Sequence, residues 1–103
     1  MRDLKLKYFD IEANKFQGRL PEDLFSLKGV VLMNSNKFTG TLPNIDMDSA
    51  LTFLDISRNK ISGTIPAGIG RAYNLRYLNL SLNQMTGKIP SSIKDLEKLE
   101  TCK

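Results

Sequence analysis

Histidine is absent from the 103 residues, and cysteine occurs once, as Cys102. Without histidine the usual zinc sites cannot be assembled, and a lone cysteine permits no internal disulfide, so neither a metal nor a cofactor is expected. Long apolar runs are missing as well. The opening stretch "MRDLKLKYFDIEANKF" holds no signal-peptide core, and the longest aliphatic run, Val30 to Met33, falls far below a membrane span. Direct membrane insertion is therefore not expected, and the compartment stays undetermined. Nor is there a dense block of one charge. Fifteen Lys and Arg stand against eleven Asp and Glu, a formal net charge of +4, with acids interspersed along the chain. Phosphate recognition gathers its cations on one face, so a scattered distribution argues against a nucleic-acid partner. No phosphate loop, kinase motif or nucleophile elbow is present, and no catalytic residue is assigned.

What remains is an ordinary soluble balance, 41% apolar and 25% charged, in a chain long enough for one domain with a modest core. Its organisation lies in repetition. The segments "NKFQGRLP" (Asn14 to Pro21), "NKFTGTLP" (Asn36 to Pro43), "NKISGTIP" (Asn59 to Pro66) and "NQMTGKIP" (Asn83 to Pro90) share one design: Asn, an apolar residue two on, Gly four on, then Leu or Ile before Pro. Successive asparagines lie 22, 23 and 24 residues apart, which is the period of a solenoid. Apolar residues stand five and three positions before each asparagine: Phe9 and Ile11, Val31 and Met33, Leu54 and Ile56, Leu78 and Leu80. Alternation over so short a stretch is the mark of a strand.

One coil cannot bury its apolar face alone, whereas stacked coils can, with their strands forming a parallel sheet. Where the backbone leaves that sheet, buried N–H and C=O groups need partners. An inward carboxamide supplies two donors and an acceptor on a short side chain, so Asn14, Asn36, Asn59 and Asn83 are expected to form a ladder between coils. Gly18, Gly40, Gly63 and Gly87 are placed where a side chain is disfavoured. Pro21, Pro43, Pro66 and Pro90 favour an extended return over a continuing helix.

These residues carry a resemblance. "LTFLDISRNKISGTIPAGIGRA" and "LRYLNLSLNQMTGKIPSSIKDL" resemble leucine-rich repeats of the plant-specific subclass, found in receptor-like kinases, receptor-like proteins and polygalacturonase-inhibiting proteins. The resemblance implies an α/β solenoid: a right-handed coil with a parallel concave β-sheet, about four repeats, a second smaller sheet and little helix on the return side. The whole of 1–103 reads as a single domain, with repeats at about 4–27, 28–48, 49–72 and 73–96 and a partial fifth at 97–103. Repeat two departs from the pattern. Lys28 stands where its siblings have leucine, and "NIDMDSA" after Pro43 predicts an irregular return, with Ile45 and Met47 turned inward. Cys102, three residues after Leu99, takes the place of a buried apolar residue in a fifth strand.

Residues alternating with the buried strand positions point outward on the concave face. They form the columns Tyr8, Val30, Phe53, Tyr77, then Asp10, Leu32, Asp55, Asn79, then Glu12, Asn34, Ser57, Ser81. Ala13, Ser35, Arg58 and Leu82 follow at the rim. Rings beside acids and amides suit protein or peptide recognition, and they also suit plain sheet propensity. Asp10 and Asp55 are expected two strand spacings apart, about 9 to 10 Å, near the carboxylate separation of an inverting glycosidase. On an open, wet face nothing raises the pKa of one above the other, and an enzyme is not expected. Asn79-Leu80-Ser81 is an N-glycosylation acceptor sequence.

The resemblance implies a non-catalytic module that binds a protein or peptide, within a plant receptor-like kinase or receptor-like protein at the extracellular side of the plasma membrane. An inhibitor of a secreted cell-wall hydrolase would use the same face, and a truncated product without independent function is a third reading. Uncapped ends imply either a piece of a longer array or end-to-end association with a second copy.

Overall fold

Short alternating segments separated by Asn, Gly and Pro give strands too brief to pair as hairpins, and the chain solves this by coiling. The structure, a computed structural model, describes residues 8–45, 48–96, 99 and 101–102. In chain order the strands are β1 (Tyr8–Asp10), β2 (Gln17–Arg19), β3 (Gly29–Leu32), β4 (Lys37–Thr39), β5 (Leu51–Asp55), β6 (Ser62–Gly63), β7 (Tyr77–Asn79), β8 (Gln84–Met85) and β9 (Thr101–Cys102). The odd-numbered strands form one parallel five-stranded sheet in the order β1-β3-β5-β7-β9. The even-numbered strands pair as β2-β4 and β6-β8, also parallel. Hydrogen bonds from Lys60 N to Phe38 O and from Ser62 N to Gly40 O, both 2.8 Å, join the two pairs into a second ladder.

The core lies between these ladders and the return segments. Val31, Leu54 and Leu78 come from the five-stranded sheet, Phe38 and Ile61 from the second ladder, and Leu24, Ile69 and Leu96 from the returns, all buried. The returns are nearly free of helix, because Pro21, Pro66 and Pro90 are each followed by only a short 3-10 turn: Leu24–Ser26, Ala67–Arg71 and Ser91–Asp95. In repeat two, residues 43–45 and 48–50 carry no such turn, as its sequence leads one to expect. Ile45 is buried there, while Asp46 and Met47 lie outside the described residues. Ser49 is buried as well, with its N–H bonded to Arg71 O at 3.1 Å and its carbonyl accepting from Asn74 Nδ2 at 3.2 Å. The entry to β5 carries a bulge. Gly29 pairs with Leu51 and Val30 with Phe53, so Thr52 is the extra residue.

The carboxamide ladder forms. Asn59 Nδ2 reaches Met33 O in the preceding coil at 3.0 Å and Ile56 O in its own at 3.0 Å, while its Oδ1 accepts from Phe38 N at 3.0 Å. Asn36 and Asn83 repeat the arrangement one coil earlier and one coil later. Asn14 differs: it is exposed and bonds to Ile11 O and Glu12 O of its own coil. Phe9, at an inward position, is likewise 43% exposed, because no described coil lies beneath it. Cys102 stands in register with Leu78, as a fifth strand requires; its side chain is outside the described residues.

Candidate functional site

Parallel pairing that keeps its register from Val30 onward, past the bulge, turns sequence columns into physical ones. Tyr8 pairs with Val30, Val30 with Phe53, and Phe53 with Tyr77. The second column runs Asp10, Leu32, Asp55, Asn79 by the same pairings. Past the strand ends, Ala13 N, Ser35 N and Arg58 N each bond to the carbonyl of the neighbouring third-column residue, Asn34, Ser57 and Ser81.

In the first column the rings of Phe53 and Tyr77 stack, with centroids 4.0 Å apart and planes 6° from parallel. Such a pair contributes about 0.5 to 1.5 kcal/mol beyond its burial and presents a rigid apolar surface. Val30 continues the strip, and Tyr8, 66% exposed, ends it. Tyr77 is fixed further by its hydroxyl, which accepts from Asn79 Nδ2 at 3.1 Å.

The second and third columns are less free than their composition implies. Asp55 Oδ1 accepts from Ser57 N at 2.9 Å and Ser57 Oγ at 2.7 Å. Asn79 Oδ1 accepts from Ser81 N at 3.1 Å and Ser81 Oγ at 2.6 Å. Asp10 Oδ1 accepts from Glu12 N at 3.0 Å. In three coils, then, the side chain of the second column satisfies an N–H two residues on, where the strand ends, an Asx turn. Ser57 and Asn79 keep their places in the concave columns but are buried there, because these short side chains fold back onto their neighbours. Leu32 cannot make the turn. Its coil holds Asn34 Oδ1, which among the described residues is a buried side-chain oxygen without a hydrogen-bond partner.

Glu12, Asp10 and Arg58 are exposed, and Asp55 is half-buried. The rim has a property invisible in composition. Ala13, Ser35, Arg58 and Leu82 have φ between 56° and 61°, the left-handed region, since the chain must reverse there to bring the next asparagine inward. The glycines at the far turn also have positive φ, and the reason at Gly63 and Gly87 is partly contact. A Cβ would meet Thr41 Cγ2 at 2.8 Å and Thr64 Cγ2 at 2.6 Å. Sequence reasoning did not single out Gly68, where a Cβ would press on the Ile45 carbonyl oxygen. Among the described residues there is no group of three or more potential metal-binding side chains, and no helix is long and apolar enough to cross a membrane.

A coil of about 23 residues with an inner parallel sheet, an asparagine ladder and extended returns defines the leucine-rich-repeat architecture, and comparison with known proteins agrees. The family model "Leucine Rich Repeat" matches residues 5–27, 50–72 and 74–96, and the chain belongs to this family. The chain is 43% identical over 67 residues to Receptor like protein 22 of Arabidopsis thaliana, covering 60% of this chain and 9% of that protein. Among solved structures it resembles the plant peptide hormone receptor RGFR1 in complex with RGF2. The TM-score there is 0.78 at 33% identity, over 93% of this chain and 16% of that one. It also resembles the Arabidopsis receptor kinase HAESA in complex with the peptide hormone IDA and the co-receptor SERK1. That TM-score is 0.78 at 32% identity, over 88% of this chain and 16% of that one. The chain thus spans less than a fifth of each of these relatives.

Proposed function

We propose that this chain is a non-catalytic module of a plant receptor-like kinase or receptor-like protein ectodomain, holding an extended peptide or protein segment against its concave sheet. The observation that carries this reading is the continuous strip Tyr8, Val30, Phe53, Tyr77, pre-ordered by the 4.0 Å ring stack. A rigid strip loses little freedom on binding. Exposed Asp10 and Glu12 beside Tyr8 give that end a negative character, suited to a basic group on the partner, while the rings take its apolar side chains. The peptide hormones bound by the two receptor structures above support a ligand of this class. In this reading the module faces the extracellular side of the plasma membrane. A glycan on Asn79 would have to be attached before folding, because its amide nitrogen is bonded to the Tyr77 hydroxyl. Exposed Phe9 and Phe16 and the in-coil bonding of Asn14 present the surface that each later coil covers with its neighbour, so a further coil fits there.

The test uses a peptide selected against the chain from a displayed random library. Replacing Tyr8, Phe53 and Tyr77 by alanine is expected to weaken its binding by more than about 1 kcal/mol per anchoring ring. Unchanged binding by a triple variant that retains its circular dichroism spectrum would remove the concave assignment.

A further inference from the structure

The second ladder has a composition unlike the rest of the molecule. Its four segments, 14–21, 36–43, 59–66 and 83–90, contain no Asp or Glu and carry five cations, Lys15, Arg19, Lys37, Lys60 and Lys88. In β4 the burial alternates, with Lys37 and Thr39 exposed and Phe38 buried between them. The ladder register pairs the third residue after one asparagine with the first after the next, and the fifth with the third, so the residues one, three and five after each asparagine share the outward side. Those twelve positions hold the five cations, five Ser or Thr hydroxyls and two Gln amides, with no acid and no apolar residue. All are exposed except Ser62, which is half-buried. Along the sequence these cations are far apart; coiling brings them onto one wall. The ladder pairings set cations beside neutral hydrogen-bonding groups, Lys37 beside Gln17 and Arg19 beside Thr39.

We infer that this wall binds a linear polysaccharide carrying carboxylates, lying across the coils, at a site separate from the concave face. Cations on successive coils pair with carboxylates recurring along a polymer, and the interleaved hydroxyls and amides match the sugar hydroxyls between them. The wall does not have the chemistry of the alternatives. A protein interface needs a buried aromatic or aliphatic anchor, single-stranded nucleic acid needs rings on which to stack, and a bilayer surface needs apolar residues to insert. The exposed Phe16 and Ile89 belong to inward positions of the first and fourth coils and lie outside the twelve.

Polygalacturonic acid is the probe, with uncharged dextran and duplex DNA as comparisons. The whole chain is expected to bind polygalacturonic acid, to lose roughly tenfold in affinity between 50 and 200 mM salt as bound counterions compete, and to ignore dextran. The double variant Lys37→Gln, Lys60→Gln is expected to bind about tenfold more weakly. Arg71→Gln, Lys94→Gln removes the same charge from the return side and is expected to bind as the parent does. Absence of binding, equal loss in both double variants, or equally tight binding of duplex DNA would each overturn the inference, the last two by reducing it to net charge. Because these side chains are exposed, both variants are expected to fold, which the circular dichroism spectrum checks.

Discussion

Asn59 and Phe38 sit in adjacent coils, and the carboxamide oxygen of the first accepts the backbone N–H of the second at 3.0 Å. The same side chain donates to Met33 O at 3.0 Å, so one buried residue closes two backbone gaps that water cannot reach.

Replacing Asn59 by leucine leaves the buried Phe38 N–H without a partner, at about 1 to 3 kcal/mol, and takes one of two donors from Met33 O and from Ile56 O, which keep Asn36 Nδ2 and Asn83 Nδ2. The expected loss is about 2 to 3 kcal/mol in urea denaturation. Asn14→Leu, at an exposed position with in-coil bonds only, is expected to cost about 1 kcal/mol or less. Equal losses at the two positions would contradict the ladder.

Gly68→Ala tests a contact between returns. Its Cβ would press on the Ile45 carbonyl oxygen, a backbone atom that cannot rotate aside, and the expected cost is about 1 to 3 kcal/mol. Gly18→Ala meets nothing within 4 Å and bears only the strain of φ +101°, about 1 kcal/mol. Thermal or urea unfolding of the two variants separates a steric cause from a conformational one, and a neutral Gly68→Ala would show that the returns pack further apart.

Tyr73 and Asp48 give the fold a pH dependence at its alkaline edge. The phenol's pKa is raised above 10.0, first by its hydrogen bond to the Asp48 carboxylate, then by burial and by the carboxylate's charge. A raised value means that the folded chain holds the proton more tightly than the unfolded one. The stabilisation is complete below pH 10 and is lost as pH climbs through the folded value. In a Tyr8→Phe, Tyr77→Phe background, phenolate absorbance is expected to titrate at lower pH once Asp48 is changed to asparagine. No change on that substitution would place the two side chains apart.

The coil period, the inward asparagines and the concave columns are legible in the sequence, because parallel stacking repeats each position at one height and a column in the alignment becomes a column in space. Asp55 and Asn79 show where that legibility ends. Composition presents them as free binding groups, yet each bonds to a residue two positions on, since strand ends leave an N–H that the nearest oxygen satisfies. The irregular return of repeat two is likewise readable from "NIDMDSA", whereas the burial of Ser49 depends on Arg71 and Asn74 in the following coil.

By itself, then, the order of residues determined that this chain coils, with what interval, and which side chains line the inner sheet, since each of these follows from spacing along the chain. Only the tertiary structure decided that Phe53 and Tyr77 stack, that Gly68 meets a neighbouring carbonyl, and that dispersed lysines share one wall. Those facts depend on distances between separate coils, which are set by packing and not by the intervals within any one of them.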